Sequence, residues 1–331
     1  MDYGAVGDGV TNDTQAIIDC ATAAVAAGKL CYLPPGTYKA ATIELPNNAQ
    51  VVGAGATSIV KAASNDCNVF YLLGKSGINV TDLAVYGYAA GSMAGDHGFR
   101  FSNTHNCVFE RLTFNDIAFS LYFGGDISDS SNIHISTCTA LSGNHTFYFA
   151  AYADDVYVDG CTIDSRTSDG AGTSHHFYIP AYCEGLYVTN CTMSNGSGFP
   201  IQMIDGPGCT NINFTGCTFT NTLAGAVISP DPANGYGSIR FSGLSGTSNR
   251  TSSDHAWFWL TGVDDMIVDD WTLDGADVTG VAECYSNTAG GVVFSNGTMT
   301  NCSSTYYAYT PAGFKTGSGE APTSTNNTVT T

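Results

Sequence analysis

Apolar positions along most of this chain recur in one short phrase: an apolar residue, two polar or small residues, a marker residue, then usually Thr. The clearest copies are Ile135–Thr139, Val158–Thr162, Val188–Thr192 and Phe214–Thr218. Weaker copies are Val80–Ala84, Phe109–Thr113, Phe241–Ser245, Val268–Thr272 and Phe294–Thr298. Their markers are Leu83, Leu112, Cys138, Cys161, Cys191, Cys217, Leu244, Trp271 and Gly297, at intervals of 23 to 30 residues. Short β-rich pieces at a drifting period, separated by Gly, Asn, Asp and Ser turns, predict a stacked solenoid. No helical period runs inside the repeats, so the fold class is all-β, a right-handed parallel β-helix. One segment differs. Asp13–Ala27 places Ile17, Ile18, Ala21, Ala24 and Val25 on one helical face, with Gly28 as a stop, and supplies the cap a solenoid end requires. The expected organisation is a single domain: residues 1–42 as N-terminal motif and capping helix, 43–310 as coils, and 311–331 as a polar tail or last coil.

A second pattern precedes each phrase. His97–Phe101, Phe119–Phe123, His145–Phe149, His175–Ile179, Phe199–Met203 and His255–Trp259 read as strands of one aligned series. Strict alternation sends Phe99, Phe101, Phe147, Phe149, Phe177 and Ile179 inward. The outward row is then Arg100, Tyr122, Tyr148, Tyr178, Gln202, Val227 and Phe258. Exposed tyrosines on successive rungs can lay ring faces against sugar rings and hydrogen-bond hydroxyls at their edges. The same row also suits an oligomer interface, a homotrimer among the possibilities, or cross-rung stacking within the sheet. The same alternation turns His97, His145, His175 and His255 inward as core caps, and leaves His176 outward beside Tyr178 as a candidate for binding or proton transfer.

Composition narrows the partners. Ten Lys and Arg face 29 Asp and Glu, a net charge of −19. Phosphate binding needs a basic stripe, which excludes nucleic acid and anionic membranes. No run of about 18 apolar residues offers a membrane span. Met1 leads directly into Asp2-Tyr3-Gly4 with no signal peptide, so further native sequence is expected upstream. Of the 12 cysteines, Cys138, Cys161, Cys191 and Cys217 share one phase of successive coils. Parallel side chains in a column meet the disulfide torsion poorly and pack well as small apolar groups, so these thiols are expected free. No Cys/His spacing matches a metal site, and no cofactor is expected.

Candidate chemistry lies beside the outward row. Long Gly- and Ser-rich insertions at Tyr86–Asp96, Ser165–Ser174 and Ser245–Asp254 are expected to wall a groove, and Asp169 lies in one of them. Asp205 and Asp231 follow Met203 and Ile228 on neighbouring coils. One rung or two between carboxylates gives about 5 or about 10 Å, so the spacing of a retaining or an inverting glycosidase is within reach. Both aspartates also sit in turn-forming contexts.

The N-terminal run Asp2-Tyr3-Gly4-Ala5-Val6-Gly7-Asp8-Gly9-Val10-Thr11-Asn12-Asp13-Thr14, then the helix and Leu33-Pro34-Pro35-Gly36-Thr37-Tyr38, resembles the opening of the pectate-lyase-like β-helix superfamily. The variant is the one found in phage tailspikes, capsule depolymerases and secreted polysaccharide-degrading enzymes. The resemblance implies an extracellular or virion-surface protein that acts on polysaccharide. Its catalytic motifs do not carry over: Arg-x-Lys is absent, Asn103-Thr104 is followed by His105 in place of Asp, and no Asp-Pro-His-Glu segment occurs. The expected function is polysaccharide binding with glycoside hydrolysis. Asp205 and Asp231, assisted by His176, are the expected catalytic groups, and Arg100, Tyr122, Tyr148, Tyr178, Gln202 and Asp169 the expected substrate contacts. The alternatives are a lyase, for which calcium is possible, and a non-catalytic binding spike.

Overall fold

A computed structural model describes residues 3–88, 96–124, 129–141, 143, 145–164, 174–180, 182–196, 198–204, 209–222, 225–229, 237–248, 256–263, 265–274, 281–284, 291–301, 314–316 and 323–329. Two compact units divide the chain, Met1–Ala171 and Gly172–Thr331. Both are parallel β-solenoids, and their architecture follows from the repeated phrase. The residue before each marker has left-handed φ. In the first unit these are Asp82, Arg111, Thr137 and Gly160, at 57°, 52°, 50° and 60°. In the second they are Asn190, Gly216, Gly243, Asp270 and Asn296, at 53°, 63°, 64°, 54° and 52°. Gly, Asn and Asp tolerate that region best, which explains their frequency there. The turn interrupts period-2 alternation, so residues three apart, such as Val158 and Cys161, are both buried.

Corners support one another along each stack. Asp82 N–H donates to Glu110 O at 3.1 Å, Arg111 N–H to Ser136 O at 3.0 Å and Thr137 N–H to Asp159 O at 2.9 Å. Arg111 also clasps the Asp82 carboxylate at 2.6 and 2.7 Å. Strands on both sides of the corner pair in parallel with their counterparts on the next coil. In the first unit His105–Glu110, Ser130–Ser136 and Ala153–Asp159 form one such series. In the second unit Thr210–Thr215, Ile239–Ser248 and Met266–Asp274 form another. In each unit a further series of parallel strands carries the second sequence pattern. Asn68–Leu73, His97–Ser102, Phe119–Phe123 and His145–Phe149 are neighbours in the first unit. His175–Ile179, Ile201–Ile204, Ala226–Ser229 and Phe258–Leu260 are neighbours in the second.

In-register pairing stacks like on like. Phe101, Phe123 and Phe149 form a buried ladder with ring centroids 4.6 and 4.7 Å apart. The marker column of the second unit runs Cys191, Cys217, Leu244, Trp271, Gly297. The Trp271 indole occupies the space a Cβ on Gly297 would need, 1.7 Å from Cε2. Cys138, Cys161, Cys191 and Cys217 are buried thiols that belong to no disulfide. Burial pushes the Cys217 thiol up to about 12.

A helix forms where the sequence predicts one, with Ile18 and Val25 half-buried. Helix α1, Thr14–Ala26, buries Ile17, Ala21 and Ala24. The buried Asp13 carboxylate accepts the N–H groups of Val6 at 2.7 Å and Gly7 at 3.1 Å, tying the N-terminal motif to the helix start. Cys20 and Cys31 form a disulfide joining α1 to the following strand.

Candidate functional site

The outward face of the sheet Asn68–Leu73 to His145–Phe149 is an aromatic surface built from two adjacent columns. Register places Tyr71, Arg100, Tyr122 and Tyr148 on successive rungs. Asn68, His97, Phe119 and His145 occupy the rung starts beside them. All eight are partly exposed. Tyr122 and Tyr148 stack at 5.1 Å with 7° between planes. Phe119 meets Tyr122 and Tyr148 edge-on at 5.8 and 5.2 Å, while His97 packs on Phe119 at 5.1 Å and on Tyr122 at 4.3 Å. His145 lies 5.5 Å from both Phe119 and Tyr148. The Arg100 guanidinium lies over two rings, 5.4 Å from the centroids of Tyr71 and Tyr122.

These columns correct the expected histidine positions. Strict alternation fails at the strand starts, because the second and third residues of each strand are both buried: Gly98 and Phe99, Ser120 and Leu121, Thr146 and Phe147. The first residue is thereby left outside, so His97 and His145 belong to the surface, not the core. In the second unit the same bend buries His176, which is 0% exposed, with Nε2 2.9 Å from Ser194 O. The expected outward His176 is thus an interior side chain. His175 is buried too, stacked on Tyr178 at 5.4 Å with Nδ1 2.7 Å from Phe199 O.

Burial, then the charge of Arg100, lowers the His97 pKa to about 4, and burial lowers that of His175 to about 4. Both imidazoles are neutral at pH 7. His97 Nδ1 lies 2.6 Å from Asn68 Oδ1. Asp96, just before His97, is fully buried and accepts the N–H groups of Cys67 at 3.1 Å and Tyr88 at 3.2 Å. Burial raises its pKa.

Arg100, Tyr122 and Tyr148 therefore come together as the sequence indicates. Tyr178 and Gln202 head the corresponding row of the second unit, followed by Val227 and Trp259. Trp259 replaces Phe258, which is buried. Asp169, Asp205, Asp231 and His255 lie outside the described residues, as do 89–95, 165–173 and 249–254 of the expected insertions. Ser245–Ser248, assigned to the third insertion, is strand. Tyr71, His97, Phe119 and His145 escaped the sequence reading. For Tyr71 the signal existed, since Phe70-Tyr71 repeats the dipeptides Phe147-Tyr148 and Phe177-Tyr178. Among the described residues no three His, Cys, Asp or Glu side chains gather as a metal group.

Comparison with known proteins fits this scaffold. The pattern described as "Right handed beta helix region" matches residues 68–234. "Rhamnogalacturonase A/epimerase, pectate lyase-like" matches residues 1–75. No curated protein sequence matches the chain. Among solved structures, the tailspike of E. coli bacteriophage HK620, in complex with a hexasaccharide, is similar with a TM-score of 0.68 at 12% identity, over 97% of this chain and 62% of that one. An exopolygalacturonase from Thermotoga maritima gives 0.64 at 9% identity, over 91% and 86% of the two chains. The A-module of a mannuronan C-5 epimerase from Azotobacter vinelandii gives 0.55 at 14% identity, over 99% and 97%. The chain thus spans about 62% of the tailspike's length. At such identities the likeness is one of fold.

Proposed function

We propose, from the premise that this chain belongs to the right-handed β-helix family, that it binds a polysaccharide along its aromatic face and hydrolyses it. Family membership supplies a scaffold; the chemistry has to come from the site. The observation that carries the binding is the contiguous, partly exposed surface of Tyr71, His97, Arg100, Phe119, Tyr122, His145 and Tyr148. A patch of this kind marks an interaction site, and its make-up suits a sugar chain. Stacking along the row covers the faces of Tyr122 with Arg100 and Tyr148, so ring edges, phenol hydroxyls and imidazole edges are the groups that would meet sugar C–H groups and hydroxyls. A linear glycan lying across successive rungs meets similar groups at each step.

Hydrolysis is assigned to Asp205 and Asp231 as acid and base. The strands that lead to them, Ile201–Ile204 and Ala226–Ser229, are direct neighbours in register, Met203 opposite Ile228 and Ile204 opposite Ser229. Neighbouring rungs lie about 5 Å apart and alternate ones about 10 Å, so both the retaining and the inverting separation of a carboxylate pair are open to this scaffold. A like charge at the shorter range keeps one partner protonated, as an acid catalyst must be. Action outside the cell or at a virion surface accompanies this reading, as does the absence of any described helix long and apolar enough to cross a membrane.

One observation favours a second reading, a binding spike without catalysis: the eight aligned positions of the aromatic face hold no Asp or Glu. Incubation with bacterial capsule and O-antigen glycans separates the readings. New reducing ends without unsaturated uronate are expected. Unsaturated product would establish a lyase, and retention of intact glycan would establish the spike.

A further inference from the structure

Arg100 is the one arginine or lysine among the eight aligned positions of the aromatic face, and its surroundings are unusual for this molecule. In a chain of net charge −19, the other described arginines in ion pairs, Arg111 and Arg240, hold Asp82 with Glu110, and Asp265. Arg100 takes part in no ion pair with a described residue. It is clamped between the rings of Tyr71 and Tyr122, 5.4 Å from each. Among the described residues its one hydrogen bond runs from Nε to Gly124 O at 3.4 Å. Stacking occupies the flat faces of a guanidinium, which are weakly hydrated, and leaves the two terminal nitrogens their N–H groups in the plane. A fixed planar fork of this kind suits a carboxylate or phosphate. Neighbouring His97 is neutral at pH 7 and adds no second positive charge.

We infer that Arg100 is a subsite for a single anionic substituent, so that the glycan recognised is mostly uncharged, with an isolated carboxylate or phosphate at intervals. This rests on the aromatic face being the binding surface and specifies what lies on it. A polyanion is disfavoured. The rungs on both sides of Arg100 present Tyr71 and Tyr122, with no further cation to receive the next charge, and the protein's own field repels a dense one.

The test is an array of bacterial capsule and O-antigen glycans spanning none, one and several anionic groups per repeat, together with carboxyl-reduced counterparts. It is probed with wild type, Arg100→Gln, Arg100→Lys and Tyr148→Ala, each checked for an unchanged far-ultraviolet spectrum. The tightest wild-type ligands are expected to carry one anion per repeat. Arg100→Gln should weaken them at least about tenfold, the scale of a lost charge-assisted hydrogen bond. Arg100→Lys should weaken them less, and carboxyl reduction should abolish the difference between wild type and Arg100→Gln. Tyr148→Ala should weaken charged and reduced forms alike. Binding that needs Tyr148 but ignores Arg100 and carboxyl reduction would overturn the anion subsite and leave the aromatic surface standing. Binding indifferent to Tyr148, or none at all, would remove both.

Discussion

The Trp271 indole sits where a side chain at residue 297 would begin. A β-carbon there requires the ring to move within a column that is otherwise filled, and overpacking of this sort costs about 1–3 kcal/mol. Gly297→Ala should lower the urea midpoint accordingly, and adding Trp271→Leu should recover part of the loss, a coupling readable in a double-mutant cycle. Histidine protonation acts at the same scale. His97 and His175 hold folded pKa values of about 4 against an ordinary 6.5. Below about pH 6.5 the unfolded chain takes up protons that the folded chain refuses, so stability is full above that pH. It should fall as pH drops from 6.5 toward 4, then lose this contribution to the slope. Urea titrations across that range should show the decline, and His175→Gln should make it shallower; a flat profile in wild type would contradict the buried neutral histidines. None of these pairings was legible residue by residue. The phrase identified Trp271 and Gly297 as markers but not as a complementary pair, and alternation put His176 on the wrong side because two consecutive inward residues leave no mark in a period-2 pattern.

Elements were easier to read, since the marker phrase is the sequence image of a left-handed corner. Thr137 is its poorest occupant, a β-branched residue at φ 50°, in a region that costs such residues about 1–2 kcal/mol. Thr137→Gly should therefore raise the unfolding free energy by several tenths of a kcal/mol up to about 1, after the entropic disadvantage of Gly is subtracted. Gly160→Val should do the reverse. The cysteine column makes a chemical prediction. Cys138, Cys161, Cys191 and Cys217 should resist alkylation in the native protein and label on denaturation without reductant, while Cys20 and Cys31 label only after reduction. Protection of the four until reductant is added would refute the free column. Where the phrase weakens, reading fails: between Ile228 and Trp271 the strand was placed one residue out of register, so Phe258 stood for Trp259. Phe and Trp are equally apolar, and only pairing with Ala226 and Val227 distinguishes the inner from the outer one.

At the scale of the whole molecule the proposed chemistry is separable from the proposed binding. Asp205→Asn and Asp231→Asn should each cut turnover at least about 10²-fold, the lower range for a lost acid or base, while glycan affinity persists. Full activity in both variants would move catalysis to other carboxylates, Asp169 first. The fold was legible because it is written nine times over, whereas a catalytic pair is written once, in segments whose Asp and Gly serve turns equally well. The corner has a last consequence. Each one fixes which neighbouring residues face inward, whatever the number of residues since the previous one, and intervals of 23 to 30 are all absorbed. It works as a reset of the count: an insertion elsewhere in a coil is cleared at the next corner, and a shift in one rung is not inherited by those that follow. A chain so punctuated can lengthen and vary one arc of every coil without renegotiating its interior.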